Sequence, residues 1–143
     1  MGSLEGVWKT TGVVTTGANA GTIARPQASV MIFSKGHYSN VNVGGDEPRM
    51  ASAVAKDPNK LTDAEKLARY EEWNRLTANA GVYDVKGTTL TMRPSVAKNV
   101  AVMTTDGPIV QEFRLNGNSL VLISKSAAGQ PASERRTTLA RVK

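Results

Sequence analysis

Ile109-Val110-Gln111-Glu112-Phe113-Arg114-Leu115, then Asn116-Gly117-Asn118, then Ser119-Leu120-Val121-Leu122-Ile123-Ser124, is the stretch on which the fold turns. In its first arm Ile109, Gln111, Phe113 and Leu115 share one face. Val110, Glu112 and Arg114 share the other, which is the period-two pattern of a half-buried strand. The Asn-Gly step between the two arms is a strong hairpin signal, because it accepts the positive backbone angles of a tight turn. So short a connection makes the two arms antiparallel neighbours.

The same grammar recurs on both sides. Downstream, 125–132 reads as a loop and 135–142 as a closing strand. Upstream, 81–86 is a strand with Gly87 as its turn. Residues 88–93 form another, with Leu90 and Met92 alternating against Thr89, Thr91 and Arg93, and Pro94 ends it. Residues 99–105 read as a further strand, ended by Asp106-Gly107-Pro108. Nearer the N-terminus, 8–16 is β-rich with Gly12 marking a bulge or bend, and 17–27 is a small, polar loop containing Pro26. Residues 28–34 and 37–43 form a hairpin about Lys35-Gly36. Both faces of 28–34 are apolar, which predicts cover on both sides, the second from a helix.

That helix is announced after an irregular stretch, 44–60, with Pro48 and Pro58. Thr62-Asp63-Ala64-Glu65 is a capping box, and Leu67, Tyr70, Trp73 and Leu76 follow at intervals of three. Glu65/Arg69 and Glu71/Arg75 are i,i+4 pairs in the better orientation, worth about 0.3–0.5 kcal/mol each. The pattern predicts a helix over about 63–78.

About nine strands and one helix, joined mostly by short turns, predict a mainly β fold. Eight to ten strands in an up-and-down meander escape the exposed-edge problem by closing on themselves. The expected fold is an antiparallel up-and-down β-barrel of about 8–10 strands, with one α-helix packed on or over its mouth. A closed barrel of about eight strands can hold one small ligand. A single domain over 4–143 is expected, and Met1-Gly2-Ser3 reads as an expression scar.

Composition removes several classes of chemistry. The chain of 143 residues has no cysteine and one histidine, so disulfides, thiol catalysis and His-rich or Cys-ligated metal sites are excluded. No apolar run approaches the roughly 18 residues of a membrane span. The 18 Lys and Arg against 12 Asp and Glu give net +6, which favours anionic partners. The basic residues are scattered and aromatics are only 5%, so neither a phosphate-binding patch nor a stacking platform is in view and no nucleic-acid partner is expected.

Gly6-Val7-Trp8, opening the first strand of a small antiparallel barrel with an Arg near the C-terminus, resembles the lipocalin/calycin pattern. More specifically, the chain resembles the bacterial lipocalin-like domain proteins. The matching runs are Phe33-Ser34-Lys35-Gly36-His37-Tyr38-Ser39, then Pro48-Arg49, then the helix, and then Thr77-Ala78-Asn79-Ala80-Gly81-Val82-Tyr83-Asp84-Val85-Lys86-Gly87-Thr88-Thr89-Leu90-Thr91. Pro94-Ser95-Val96-Ala97-Lys98-Asn99 completes the set, which spans 4–143. The resemblance implies a lumen and a secreted or periplasmic barrel, while the residues leave a cytoplasmic location open. It also implies a structural floor in which Trp8 lies across the barrel and Arg141 packs on it, with Arg135 and Arg136 as alternatives. An Arg over an indole face gains about 0.5–2 kcal/mol.

The candidate ligand-binding residues are His37, Tyr38, Arg49, Tyr70, Trp73, Met92, Met103, Gln111 and Phe113. His37 is the lone histidine, at a hairpin tip where a polar residue is expected in any case. As its strand neighbour, Tyr38 faces the other way. Tyr70 and Trp73 lie on the inner side of the helix, where they pack it down or touch a ligand. Arg49 converging with Lys98 would make an anion-selective mouth. Gln111, on an otherwise apolar face with Phe113, needs a hydrogen-bond partner or a ligand. Met92 and Met103 supply adaptable lining or plain core. No paired carboxylates, metal-ligand spacing or nucleophile–base arrangement is visible, and no cofactor is expected.

The leading expectation is a barrel, monomer or homodimer, that binds a small, largely apolar molecule that can carry an anionic group. A cyclase or isomerase that folds a flexible substrate by positioning alone would leave almost no motif, and stands as the alternative. A structural or interaction module using an outer sheet face is the third reading.

Overall fold

The structure, a computed structural model, describes residues 3–143. The scar reading falls in part on Met1 and Gly2, which lie outside the described residues. Ser3 is tied down, its carbonyl accepting from Arg141 Nη2 at 3.0 Å.

Among the described residues there are nine strands and two helices. In chain order they are β1 (Gly6–Gly17), β2 (Gly21–Ile23), β3 (Ser29–Ser34), β4 (His37–Val43), α1 (Asp63–Asn74), β5 (Leu76–Lys86), β6 (Thr89–Ala97), α2 (Ala101–Thr104), β7 (Ile109–Asn116), β8 (Ser119–Lys125) and β9 (Ser133–Arg141). Strands β1 and β3 to β9 run antiparallel in up-and-down order. β9 returns to β1 along a ladder from Trp8↔Arg141 to Gly17↔Ser133 and closes an eight-stranded barrel. β2 is the extra strand. β1 leaves β3 after Trp8 and is irregular between Thr10 and Gly12, so its far end offers a free edge that Gly21–Ile23 occupies. The Thr10 N–H, which would have bonded β3, donates to Ser29 Oγ at 2.7 Å.

Four local expectations are corrected. The helix stops at Asn74, because Leu76 already pairs with Val43 in the β4–β5 ladder. β6 runs through Pro94 to Ala97, since the register shift at Ala80/Gly81 removes the need for a donor there. A Cβ on Gly81 would collide with Arg93 O, so this bulge requires glycine. Residues 99–105 hold the short helix α2, which starts where Asn99 Oδ1 accepts from Ala101 N at 3.1 Å. The outer face of β3 is uncovered, with Val30 46% and Ile32 38% exposed.

The two ends of the barrel differ. The connections 35–36, 87–88 and 117–118, two residues each, lie at one end. The long connections, both helices and β2 lie at the other. The tight-turn end is packed solid, with Trp8, Phe33, Leu90 and Leu120 fully buried and Tyr38, Phe113 and Leu139 beside them. Phe33 meets Tyr83 edge-on at 4.9 Å. Trp8 donates from Nε1 to Leu4 O at 2.8 Å, and Arg141 lies over its ring at 4.2 Å. Arg141 also donates to Glu5 O. Gly6 makes room for it: at φ 133° a Cβ there would sit 2.5 Å from Arg141 Nη1.

Candidate functional site: the open half of the lumen

The pleat lets each inward face be followed from the closed end to the open end. β3 reads Phe33, Met31, Ser29, and β4 reads Tyr38, Asn40, Asn42. β8 reads Leu120, Leu122, Ser124, and β9 reads Leu139, Thr137, Arg135. Each strand changes from apolar to polar as it leaves the packed end. The polar half surrounds a half-open cavity of about 370 Å³.

Met31, Met92, Leu122 and Leu139 are its floor, all buried. Asn40, Asn42, Thr77 and Asn79 face it from β4 and β5, which pair Asn40 with Asn79 and Asn42 with Thr77. Gln111, Ser124 and Arg135 face it from β7, β8 and β9. Gln111 Nε2 donates to Ser124 Oγ at 2.7 Å, and Ser124 is the register partner of Arg135. Asn79 Oδ1 and Gln111 Oε1 are buried without a hydrogen-bond partner in the structure. A buried amide left so costs about 1–3 kcal/mol unless something enters to pair with it. Arg135 is the one ionisable side chain that lines the cavity among the described residues.

A second hollow, about 530 Å³, lies outside the barrel between α1, the start of β5 and α2. It is larger, and it shares Thr77 and Asn79 with the lumen cavity. Tyr70 and Trp73 flank it and are 62% exposed, and no residue of α1 is buried. The helix is held by polar contacts instead. The capping box forms, with Glu65 N donating to Thr62 Oγ1 at 3.2 Å and Thr62 N to Glu65 Oε1 at 2.9 Å. The Glu72 carboxylate accepts from Ser52 Oγ at 2.5 Å and Ser52 N at 3.1 Å. The helix has no basic residue in its own last turn. Lys98 takes that place, donating from Nζ to Trp73 O, to Asn74 O at 3.3 Å and to Leu76 O at 2.8 Å. The Thr62 bonds hold Glu65, and the Ser52 bonds hold Glu72, below the usual carboxylate range.

The residues singled out from the sequence fall in four places. Met92 and Gln111 line the lumen. Tyr38 and Phe113 lie below it in the packed half, where burial pushes the Tyr38 hydroxyl, itself without a partner, up to about 12. Trp8 and Arg141 are at the floor. The rest are outside the barrel interior. His37 is exposed at the closed end, its Nδ1 3.1 Å from Lys35 O. Arg49 donates to Glu72 O at 3.2 Å, Tyr70 and Trp73 lie on α1, and Met103 lies on α2. Arg49 and Lys98 are thus engaged with helix α1. The lumen residues Asn40, Asn42, Ser124 and Thr137 were legible through parity alone, by counting in twos from Tyr38, Leu120 and Leu139.

Fold and lumen together define a class: a closed eight-stranded antiparallel barrel, calycin-like in architecture, with an apolar floor and a mouth that mixes polar side chains with Val13, Ile23, Val43 and Ile109. The chain matches no protein-family model, no curated protein and no solved structure. Among the described residues, no helix is long and apolar enough to cross a membrane, and no group of three or more His, Cys, Asp or Glu is placed to hold a metal ion.

Proposed function

We propose that this protein binds a small molecule in the open half of its barrel, with the ligand's apolar body on the Met31, Met92, Leu122 and Leu139 floor. The observation that carries this reading is the half-open cavity of about 370 Å³ above that floor. Water occupies about 30 Å³ in the liquid, so the space suits a ligand of roughly a dozen non-hydrogen atoms. The resemblance to the bacterial lipocalin-like proteins supports the same reading, and it is the support for a secreted or periplasmic setting. With Arg135 as the one ionisable lining group among the described residues, the lumen offers no side-chain acid–base pair. Binding is therefore favoured over acid–base turnover, while a cyclase or isomerase that works by positioning stays the alternative.

Even at about 0.3 kcal/mol per atom, a dozen-atom ligand gains roughly 4 kcal/mol, a Kd near 1 mM. A calorimetric or thermal-shift screen should therefore reach millimolar octanol, octanoate and cinnamate. Binding by the native chain, abolished in Thr137→Phe and in Ser124→Phe with the fold intact by circular dichroism, is the expected result. No binding of any of these, or binding unchanged in both filled variants, overturns the proposal.

A further inference from the structure

We infer that the ligand's head is a monoanionic hydroxycarboxylate, its carboxylate held by Arg135 and its hydroxyl donating to the free amide oxygen of Gln111. The inference rests on the lumen being the binding site and specifies the chemistry it selects.

The charge comes first. Arg135 points to the lumen because it continues the inward series Leu139, Thr137, Arg135 on β9. Among the described residues no carboxylate is paired with it, whereas its neighbour Arg136 is taken by Glu134 at 2.9 Å. A planar guanidinium presents parallel donors that match a carboxylate. One positive charge in a lining otherwise neutral among the described residues balances one negative charge, which favours a carboxylate over a doubly charged phosphate. The position at the mouth lets the anion keep part of its hydration while the body is buried.

The hydroxyl follows from the orphaned Gln111 oxygen. Gln111 already spends its nitrogen on Ser124, so its free oxygen, a register step from Arg135 across β8, asks for a donor. A ligand hydroxyl supplies that donor, which a carboxylate does not. A plain alkyl carboxylate satisfies Arg135 and leaves the Gln111 oxygen orphaned.

3-Hydroxyoctanoate has the required size, one charge and one hydroxyl. Titration calorimetry should compare it with octanoate, with methyl 3-hydroxyoctanoate and with octanol, on the native chain and on Arg135→Gln and Gln111→Leu. The hydroxy acid is expected to bind about tenfold tighter than its methyl ester, a preference that disappears in Arg135→Gln. It is expected to bind several-fold tighter than octanoate, a preference that shrinks in Gln111→Leu, whose folding is checked by its melting curve. Equal affinity for acid and ester, in native chain and variant alike, overturns the inference while leaving the lumen as a binding site. Equal affinity for the hydroxy acid and octanoate overturns its hydroxyl half. Failure of all four compounds, octanol included, overturns the binding reading itself and the inference with it.

Discussion

The two ends of this barrel are built from the same eight strands and do opposite things. At the tight-turn end the inward residues are Trp8, Phe33, Tyr38, Leu90, Phe113, Leu120 and Leu139, and they leave no room. Two pleats further along, the inward residues are Ser29, Asn42, Ser124 and Arg135, and they enclose space. The ladders differ as well, since β1 leaves β3 after Trp8 and β6 leaves β7 after Met92, so the open end combines splayed strands with smaller, more polar side chains. The core is concentrated in one half, and the other holds the space in which we place the ligand.

Substitutions can separate the halves. The largest effect is expected at the closed end. Trp8→Ala removes a fully buried indole together with the Arg141 stack and should cost about 3–5 kcal/mol in urea unfolding. Asn42→Ala at the open end should cost under about 1 kcal/mol, as for a half-exposed polar side chain without a buried network. Similar costs at both sites would dissolve the distinction.

Tyr38 gives the next largest effect, through pH. Its hydroxyl ionises at about 12 in the folded barrel, because burial disfavours the phenolate, against near 10 when unfolded. The unfolded chain thus loses its proton first. Stability is full below pH 10 and falls by about 2–3 kcal/mol as pH rises from 10 to 12. Tyr38→Phe should remove this Tyr38 contribution to the alkaline loss. It should also be neutral or slightly stabilising at pH 7, because it deletes an unpaired buried hydroxyl. Urea midpoints at pH 7 and pH 11 check both statements.

A smaller effect is expected at the open end. Lys98→Met withdraws the cation from the carbonyls at the end of α1 and should loosen that helix by about 1 kcal/mol. Amide exchange should rise across 63–76 and stay unchanged in β7 and β8. A uniform rise along the chain would show that α1 is coupled to the packed end after all.

Strand order and closure were legible because the connections are short. Asn116-Gly117-Asn118 and Lys35-Gly36 leave their flanking strands no neighbour but each other, and the meander then has one way to close. Two features were hidden by punctuation that the three-dimensional setting overrides. Pro94 does not end β6 because a bulge lies opposite it, and 99–105 has strand-like residues but no partner strand. The helix stripe of Leu67, Tyr70 and Trp73 reads as inward, yet α1 is anchored by polar contacts on its flanks and by Lys98. The polar lumen was hidden for another reason. His37 and Arg49 stand out one at a time, whereas Asn40, Asn79 and Arg135 gain meaning only when the inward parity of several strands is followed together.

The central claim is that the space above the methionine floor is where a ligand goes, and the methionines themselves can report on it. Met31 and Met92 are buried at the lumen floor, Met50 is exposed on a loop, and Met103 lies on α2. With methyl-13C-methionine, titration with 3-hydroxyoctanoate should move the Met31 and Met92 resonances together, saturably, and leave Met50 and Met103 in place. Shifts confined to Met50 or Met103, with Met31 and Met92 unmoved at saturation, would contradict the account.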